Sequence, residues 1–302
     1  MLPMNLNNPC FSDDNAARAY LEAVRWPNGP VCPHCKSTGE HYKLEGKSTR
    51  PGVWKCCDCR KPFSVTVGTV FERSKIPLSK WLAAAYLLCS SKKGISAHQL
   101  HRTLGVTYKT AWFLAHRIRF AMADVGGGGL MGSGGGAVEA DETYIGRKPG
   151  RQMRPGQGHK EQVFALVERG GKVRSKHVHN FGQIKKTLEE NVSPEAVLMT
   201  DQHKMYRKLG KGFSDHQTVN HSIKEYARGE AHTNTIEGVF SVFKRGMIGT
   251  YQHCGSQHLQ RYLAEFDFRY NHRAALEIND NMRVTDCLKG IGGTRLTYRR
   301  AG

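Results

Sequence analysis

The sequence predicts a multidomain chain in which a small cysteine-rich and helical part precedes a larger α/β domain with a mixed sheet. Three observations carry this prediction. Two CxxC pairs lie within the first 60 residues, a helix–glycine turn–helix pattern covers 96–122, and strand-like runs precede long amphipathic helices after residue 136. Strands followed by helices within one half of a chain favour a single layered α/β or α+β core there.

The charge of the chain points to a nucleic-acid partner. Its 302 residues carry 45 Lys and Arg against 26 Asp and Glu, a net charge of +19. Residues 1–135 contribute +10 and residues 136–302 contribute +9, so the excess is not confined to a basic tail. A solvated surface alone rarely reaches such an excess, and a polyanion is the partner that it favours.

No segment of the sequence predicts secretion or a membrane span. The first ten residues lack a charged stretch followed by an apolar run. The longest apolar stretch, 81–89, is about half of the ~20 residues that a membrane helix needs. We therefore expect a cytosolic protein whose nine cysteines are reduced.

Four of the cysteines form a metal-binding pattern. Two CxxC pairs separated by twenty residues are typical of a zinc ribbon, in which two knuckles give four thiolates to one tetrahedral Zn²⁺. The predicted ligands are Cys32, Cys35, Cys56 and Cys59. Cys57 competes with Cys56, but only Cys56 keeps two residues between the ligands of its knuckle. We expect the zinc to be structural, since thiolates fill all its positions.

The N-terminal half is predicted to contain two DNA-reading modules. Residues 11–68 form an N-terminal helix and the ribbon, and residues 74–124 form a helix-turn-helix in which Gly105 makes the turn. Four side chains of its second helix are predicted to meet phosphates or bases: Tyr108, Lys109, Arg117 and Arg119. A plain helical hairpin is the alternative interpretation.

A glycine-rich segment, 125–136, separates the two halves. Eight of the eleven residues in 126–136 are glycines, a composition that predicts a flexible linker. A phosphate-binding loop is the alternative, but the GxxxxGK[ST] pattern is missing. The α/β domain is predicted to cover 137–302.

Two aspartates of the second half have contexts that suit metal chemistry. Asp141 lies in a predicted strand, 138–145, where it shares one face with Glu139 and Thr143. Carboxylates within a strand need a positive partner, for which a metal ion is a natural candidate. Asp201 ends an apolar strand-like run, and the carboxyl ends of such strands carry the sites of many α/β proteins.

Glu237 is the third acid of interest. It lies on a predicted amphipathic helix, and Lys244 stands two turns further along the same polar stripe. Three carboxylates provide the oxygen ligands that two Mg²⁺ ions need to assist a phosphodiester displacement. Taken singly, an acid such as Asp201 is better interpreted as a solvated or helix-capping residue, and Glu237 as one partner of a surface salt bridge at helical spacing.

Several sequence blocks resemble the zinc-ribbon insertion-sequence transposases of the ISXO2-like family. The blocks, spread over residues 11–300, are RWPNGPVCPHC, CCDC, VEADETYIGRK, LMTDQHKMY, HTNTIEGVFSVFKRGMIGTY, LQRYLAEFDFRYNHR and LKGIGGTRLTYR. The resemblance implies an RNase H-like catalytic domain in which Asp141, Asp201 and Glu237 form a DDE triad that binds Mg²⁺ or Mn²⁺. It implies that Lys244 acts beside the triad, and Lys244 and Arg245 are predicted to contact DNA.

The implied activity is that of a DNA transposase in the bacterial cytosol and nucleoid. The zinc ribbon and helix-turn-helix would recognise terminal inverted repeats in double-stranded DNA, and the triad would nick the ends and transfer the strand to target DNA. Joining two ends requires at least a homodimer on DNA. The alternatives are a catalytically silent DNA-binding regulator derived from a transposase and a nuclease that cuts without joining.

Some residues depart from the family pattern or are candidates for supporting roles. Asn234 is the alternative to Glu237 in the third acidic role, as in some relatives. His203 and His232 are candidates for orienting a water or a phosphate. The YQHCG stretch is less histidine-rich than is usual in the family, which leaves His253 without an assigned role.

Overall fold

The computed structural model describes residues 7–123, 128–146, 160–219, 227–228 and 231–293. The helices are α1 (Asp14–Arg25), α2 (Leu78–Ser90), α3 (Ala97–Leu104), α4 (Tyr108–Ala123), α5 (Phe181–Asn191), α6 (Tyr206–Leu209), α7 (Asn234–Gly246), α8 (Leu259–Asn271) and α9 (Asp280–Lys289). The strands are β1 (His41–Lys43), β2 (Trp54–Cys56), β3 (Pro62–Phe63), β4 (Ala137–Ile145), β5 (Glu161–Glu168), β6 (Val173–Val178), β7 (Val197–Asp201), β8 (Asp215–Val219), β9 (Ala227–Arg228) and β10 (Ala231–His232).

The first compact unit combines the described residues up to Ala123 with those from Glu277 onward. The strands β1, β2 and β3 form a small antiparallel sheet. The helices α1, α2, α3, α4 and α9 pack together, and Trp81 of α2 is buried. The turn between α3 and α4 is made by Gly105, whose φ of 59° suits a residue without a Cβ. The two predicted helices and their glycine turn are therefore present.

Helix α9 corrects the predicted domain boundary, which assigned 137–302 to the α/β domain. The structure groups α9 with the first unit, where it packs against α1, α2 and α4. Its apolar side chains Val284, Cys287 and Leu288 are buried there. An amphipathic helix shows that it has a buried face but does not specify which surface covers that face.

The second unit, from residue 126 to Leu276, is built on a five-stranded sheet. The strand order is β6-β5-β4-β7-β8. β4, β5 and β6 are antiparallel neighbours, whereas β7 and β8 run parallel to β4. This mixed sheet agrees with the predicted α/β core.

Helices cover both faces of the sheet. On one face, α5 and the Tyr206 ring pack over a core that includes Val138, Phe164 and Leu166. On the other, α7 and α8 pack over Val163, Ala165 and Val167. The alternating side chains of β5 thus belong to two different cores, as expected for a strand at the centre of three layers.

Two described residues of the glycine-rich segment, Met131 and Gly132, are packed, which differs from a linker that is flexible throughout. Met131 is buried, and its backbone N–H and C=O bond to Asn191 O and Ser193 N, each at 2.8 Å. At Gly132 (φ 72°) an added Cβ would lie 2.5 Å from the Cβ of Ala196. Some of these glycines therefore allow close packing; residues 124–127 lie outside the described part of the chain.

Candidate functional site

The four cysteines of the two CxxC pairs lie together in the first unit. Their sulfur atoms all lie within 4.8 Å of one another, with 3.6 Å between Cys32 and Cys59 and 3.6 Å between Cys35 and Cys56. Cys57 is exposed and lies outside this group. Four converging thiols are the donor set of a structural zinc site, so the residues fit Zn²⁺.

The two knuckles share the same backbone conformation. The residue after the second cysteine of each pair has a positive φ, 64° at Lys36 and 58° at Arg60. This left-handed residue turns the chain back, so that both sulfurs of a pair face the same point. The local sequence alone therefore builds each half of the site.

In the second unit, β4 and β7 bring Asp141 and Asp201 to the same level of the sheet. The parallel register pairs Val138 with Leu198 and Glu139 with Met199. Two further steps at this register put Asp141 beside Asp201. Paired residues of adjacent strands point to the same face, and Asp141 shares the α7 and α8 face with Ala165, its partner on β5.

Glu139, two residues before Asp141 on the same face, has a different environment. It is fully buried, and its carboxylate accepts hydrogen bonds from Arg169 Nε (2.9 Å), Thr235 Oγ1 (2.8 Å) and the backbone N–H of Ile236 (2.9 Å). The positive partner that we expected for a carboxylate in this strand is therefore an arginine for Glu139. The other two donors belong to the first turn of α7, so Glu139 fixes the start of that helix on the sheet.

Helix α7 carries Glu237 in its first turn, one residue after Ile236. Glu237 is exposed, and the Thr233 hydroxyl donates to it at 3.4 Å. Lys244, Arg245 and Asn234 are also exposed. Among the described residues, Glu237 belongs to no group of three acidic, His or Cys side chains whose ligand atoms all lie within 4.8 Å.

Glu142 is a site residue that the sequence reasoning missed. It accepts a hydrogen bond of 2.9 Å from the hydroxyl of Tyr206, which is fully buried. Burial raises the pKa of the Glu142 carboxyl to about 8; the hydrogen bond from Tyr206 opposes this rise, and the charges of Asp141 and Asp201 add to it. The only sequence signal for Glu142 was its position next to Asp141. Because side chains alternate along a strand, Glu142 was expected on the face of the sheet opposite Asp141.

Comparison with known proteins identifies both units. Residues 133–271 match the family model described as ISXO2-like transposase domain, and residues 12–62 match the transposase zinc-ribbon domain. The chain belongs to the ISXO2-like transposase family. A protein described as "Uncharacterized protein in transposable element ISH50", from Halobacterium salinarum, is 28% identical over 280 residues, which cover 86% of this chain and 91% of that protein.

Two of the four predicted DNA contacts of this transposase-family chain are corrected by the structure. Arg117 and Arg119 are 3% and 2% exposed. The Arg117 guanidinium donates to the Val70 carbonyl at 2.6 Å and lies 4.5 Å from the centre of the Phe113 ring. These arginines stabilise the interior of the first unit, because α4 is covered on more sides than its apolar stripe indicated.

The other two predicted contacts remain accessible. Tyr108 is 46% exposed and Lys109 is also exposed, at the start of α4. The Tyr108 ring lies 4.4 Å from the ring of His98. Exposed basic and aromatic side chains at the start of a helix after a glycine turn are compatible with a DNA interface.

The three histidines named from the sequence lie in different settings. His203 donates its backbone N–H to Asp201 at 3.0 Å and is exposed, so it lies beside one of the acids. His232 Nδ1 lies 3.2 Å from the Glu139 carboxylate, and Arg169 donates to the His232 carbonyl, which assigns His232 to the support of α7. His253 is exposed beyond the turn Met247–Tyr251.

Within the described residues, no helix is both long and apolar enough for a membrane span.

Proposed function

We propose that the chain is a DNA transposase that cuts element ends and joins them to target DNA with the triad Asp141, Asp201 and Glu237. The observation that carries the proposal is the arrangement around the centre of the sheet. Asp141 and Asp201 each follow the β4–β7 pairing by two residues on neighbouring strands, and Glu139 holds the first turn of α7 on the same face. Membership of the transposase family supports the same reaction class.

The topology of the second unit supports an RNase H-like core. Three antiparallel strands followed by two strands parallel to the first, in the order β6-β5-β4-β7-β8, are consistent with the RNase H-like core that the resemblance implies. In this order the first strand of the domain is central, and the fourth lies beside it. The first two acids then come from neighbouring strands, while the third comes from a helix that crosses the sheet.

The acids fit a divalent cation by their chemistry. Asp141, Asp201 and Glu237 would hold Mg²⁺ or Mn²⁺, hard cations that prefer carboxylate oxygens. When bound, such ions stabilise charge on the attacking and leaving oxygens of a phosphodiester. The raised pKa of Glu142 fits this assignment, because part of it reports the negative potential of the two aspartates.

The chain's own basic residues would position the DNA strand. Lys244 and Arg245 are exposed in the last turn of α7, while Glu237 is exposed in its first turn. Seven residues make nearly two turns, so Lys244 and Glu237 lie on one side of the helix about 10 Å apart along the axis. We infer that these cations contact the phosphates that flank the scissile bond.

The first unit would supply end recognition. The zinc ribbon and the pair α3 and α4, with Tyr108 and Lys109 exposed, are proposed to read the terminal inverted repeats. The net charge of +19 favours binding to DNA throughout. Joining two ends to one target requires two active sites, so we expect a dimer or higher oligomer on DNA.

The test is strand transfer of a labelled element-end duplex into supercoiled plasmid in the presence of Mg²⁺. The ends come from the DNA that flanks the gene. We compare the wild type with Asp201→Ala and with a matched control, Glu190→Ala, which removes an exposed acid of α5 that pairs with Lys186. We expect metal-dependent joining in the wild type and the control and its loss in Asp201→Ala.

Three outcomes would overturn the proposal in different ways. Tight binding of the ends without cutting or joining by any of the three proteins would identify a DNA-binding regulator. Cutting without joining would identify a nuclease. Joining that survives in Asp201→Ala would remove Asp201 from the catalytic site.

A further inference from the structure

We propose that Glu161, His177 and His179 form a second zinc site, separate from the four cysteines and from the proposed catalytic acids. One ligand atom from each of these side chains lies within 4.8 Å of the other two. Apart from the four cysteines, this is the one such group among the residues that the structure describes. It belongs to the second unit and has no part in the proposed catalysis.

The strand pairing brings the three side chains to one face. Gln162 of β5 pairs with Val178 of β6. One step further, Glu161 stands opposite His179, which follows the end of β6. His177 lies two residues before His179 and therefore points to the same side. Two histidines spaced by one residue on a strand, with an acid on the neighbouring strand, converge on a single point.

The backbones of both histidines are held by helix side chains. The N–H of His177 donates to the Gln260 side-chain oxygen of α8 at 2.9 Å. The N–H of His179 donates to the Gln183 side-chain oxygen of α5 at 2.7 Å. Since His179 lies beyond the last residue of β6, the bond to α5 keeps its ring near the strand end. Ligands anchored in this way lose little entropy on binding a metal.

The distances suit a small cation after a slight adjustment. His177 Nε2 lies 2.9 Å from a carboxylate oxygen of Glu161, and the centres of the two imidazole rings are 4.5 Å apart. Tetrahedral zinc with bonds of about 2.0–2.1 Å separates its ligand atoms by about 3.3 Å. On binding zinc, the distance between His177 Nε2 and the Glu161 oxygen would therefore increase slightly from 2.9 Å, and the His179 ring would rotate toward these two atoms.

The donor set selects the class of metal. Two imidazole nitrogens and one carboxylate oxygen suit Zn²⁺, whereas Mg²⁺ prefers oxygen donors only. Three protein ligands leave a fourth position for solvent or another donor. Asp141 pairs with Ala165, which lies four residues along β5 from Glu161; at about 3.3 Å per residue, the two sites are on the order of 13 Å apart.

The simpler interpretation is a plain ion pair between Glu161 and His177. The role of His179 distinguishes this ion pair from a metal site. An ion pair needs only the two partners, so the exposed His179 would be a bystander. A metal site needs all three side chains. Replacing His179 therefore tests the metal and leaves the ion pair and the buried core in place.

The experiment measures zinc bound to the full-length protein by elemental analysis after dialysis. We compare the wild type with His179→Ala and with His253→Ala, which removes another exposed histidine of the same unit. We expect two zinc ions per chain in the wild type and in His253→Ala, and one in His179→Ala. Far-UV circular dichroism verifies that the three proteins are equally folded.

A Co²⁺ titration assigns the metals to their ligands. The intense thiolate-to-cobalt band should be the same in all three proteins, because the cysteine cluster is unchanged. The weaker band of the nitrogen and oxygen site should need more than about 100-fold more Co²⁺ in His179→Ala, a larger loss than the 10- to 100-fold typical of an outer-shell partner. One zinc per chain in the wild type, or a second zinc that persists in His179→Ala, would overturn the proposal.

Discussion

The four-cysteine cluster and the cluster of acids around β4 are assembled in opposite ways. The cysteines come from two short knuckles within 28 residues of one another, and their sulfurs already converge. The acids Asp141, Asp201 and Glu237 come from β4, β7 and α7 and are spread over almost a hundred residues of the sequence. Their ligand atoms do not all lie within 4.8 Å of one another. The first site is local and closed, whereas the second is long-range and open.

This difference reflects what each site has to do. A structural metal is bound by soft thiolates that leave no position for a substrate. A catalytic centre for phosphodiesters needs hard oxygen ligands and free positions, and part of its ligand set is expected to tighten only when metal and DNA are bound. Consequently, we expect damage to the first site to unfold its surroundings and damage to the second to stop the reaction in a folded protein.

The largest expected effect is the loss of the structural zinc. In Cys56→Ser the ribbon should unfold, because zinc contributes about 10–16 kcal/mol to the folding of such modules. Hydrogen exchange should then become fast over residues 31–63 and remain slow in β5. Cys57→Ser is the control, since Cys57 lies outside the cluster, and equal damage in both variants would contradict the ligand assignment.

The second prediction compares two acids of one strand. Glu139→Gln should destabilise the second unit by about 3 kcal/mol in denaturant unfolding, because it removes a fully buried charge that Arg169, Thr235 and Ile236 all contact. Asp141→Asn should change the unfolding free energy by less than about 1 kcal/mol, a typical surface value. Its strand transfer should fall by about 10³-fold, which corresponds to about 4 kcal/mol of barrier.

These variants separate support from catalysis. Glu139→Gln should recover activity in stabilising conditions such as added osmolyte, whereas Asp141→Asn should not. If Asp141→Asn proved the more destabilising of the two, Asp141 would be a structural residue and the contrast between the acids would fail.

A third prediction concerns Asp267 of α8, a half-buried acid outside both sites. Its carboxylate accepts bonds from the N–H (2.6 Å) and hydroxyl (2.7 Å) of Ser175, but burial outweighs them and raises its pKa from 3.8 to about 6. The folded state therefore holds a proton that the unfolded state has released between about pH 4 and pH 6. The Asp267 contribution to the unfolding free energy should fall by about 2–3 kcal/mol as the pH rises through this window.

Substitution of Asp267 checks the sign of that effect. Asp267→Asn should flatten the pH dependence of unfolding between pH 4 and pH 6, measured by chemical denaturation at fixed ionic strength. A pH profile as steep as that of the wild type would show that another group titrates in this range.

The smallest expected effect concerns DNA binding by the first unit. Lys109→Ala should weaken binding to element ends less than about 10-fold and lower the slope of log affinity against log salt by about 1, as expected for one phosphate contact. Its unfolding free energy should be unchanged, because the side chain is exposed. An unaltered salt dependence would remove Lys109 from the interface.

The predictions that the structure bears out depend on residues within a single knuckle or within two turns of a helix. The spacing of CxxC identified the thiols that converge, including Cys56 over Cys57. The stripe of α7 also emerged correctly: Ile236 and Phe240 are buried, while Glu237 and Lys244 are exposed. In both cases the backbone geometry of a short segment determines which side chains point in the same direction.

The errors concern partners that are distant along the chain. Arg117 and Arg119 were assigned to DNA because their helix position left them off the main apolar stripe, but the fold covers them. The glycines around Met131 were interpreted as a linker, although Gly132 lies against Ala196. Composition describes what a segment tolerates, and it does not show what packs against it.

The sequence by itself determined the four cysteines that converge, the family and the acids that are candidates for catalysis. The tertiary structure decided that Glu139 supports α7 while Asp141 lies level with Asp201, that Glu142 shares their electrostatic environment, and that α9 joins the first unit. The physical reason is range: spacing within a knuckle or helix is set by local backbone geometry, whereas burial and strand register depend on segments far apart in the chain.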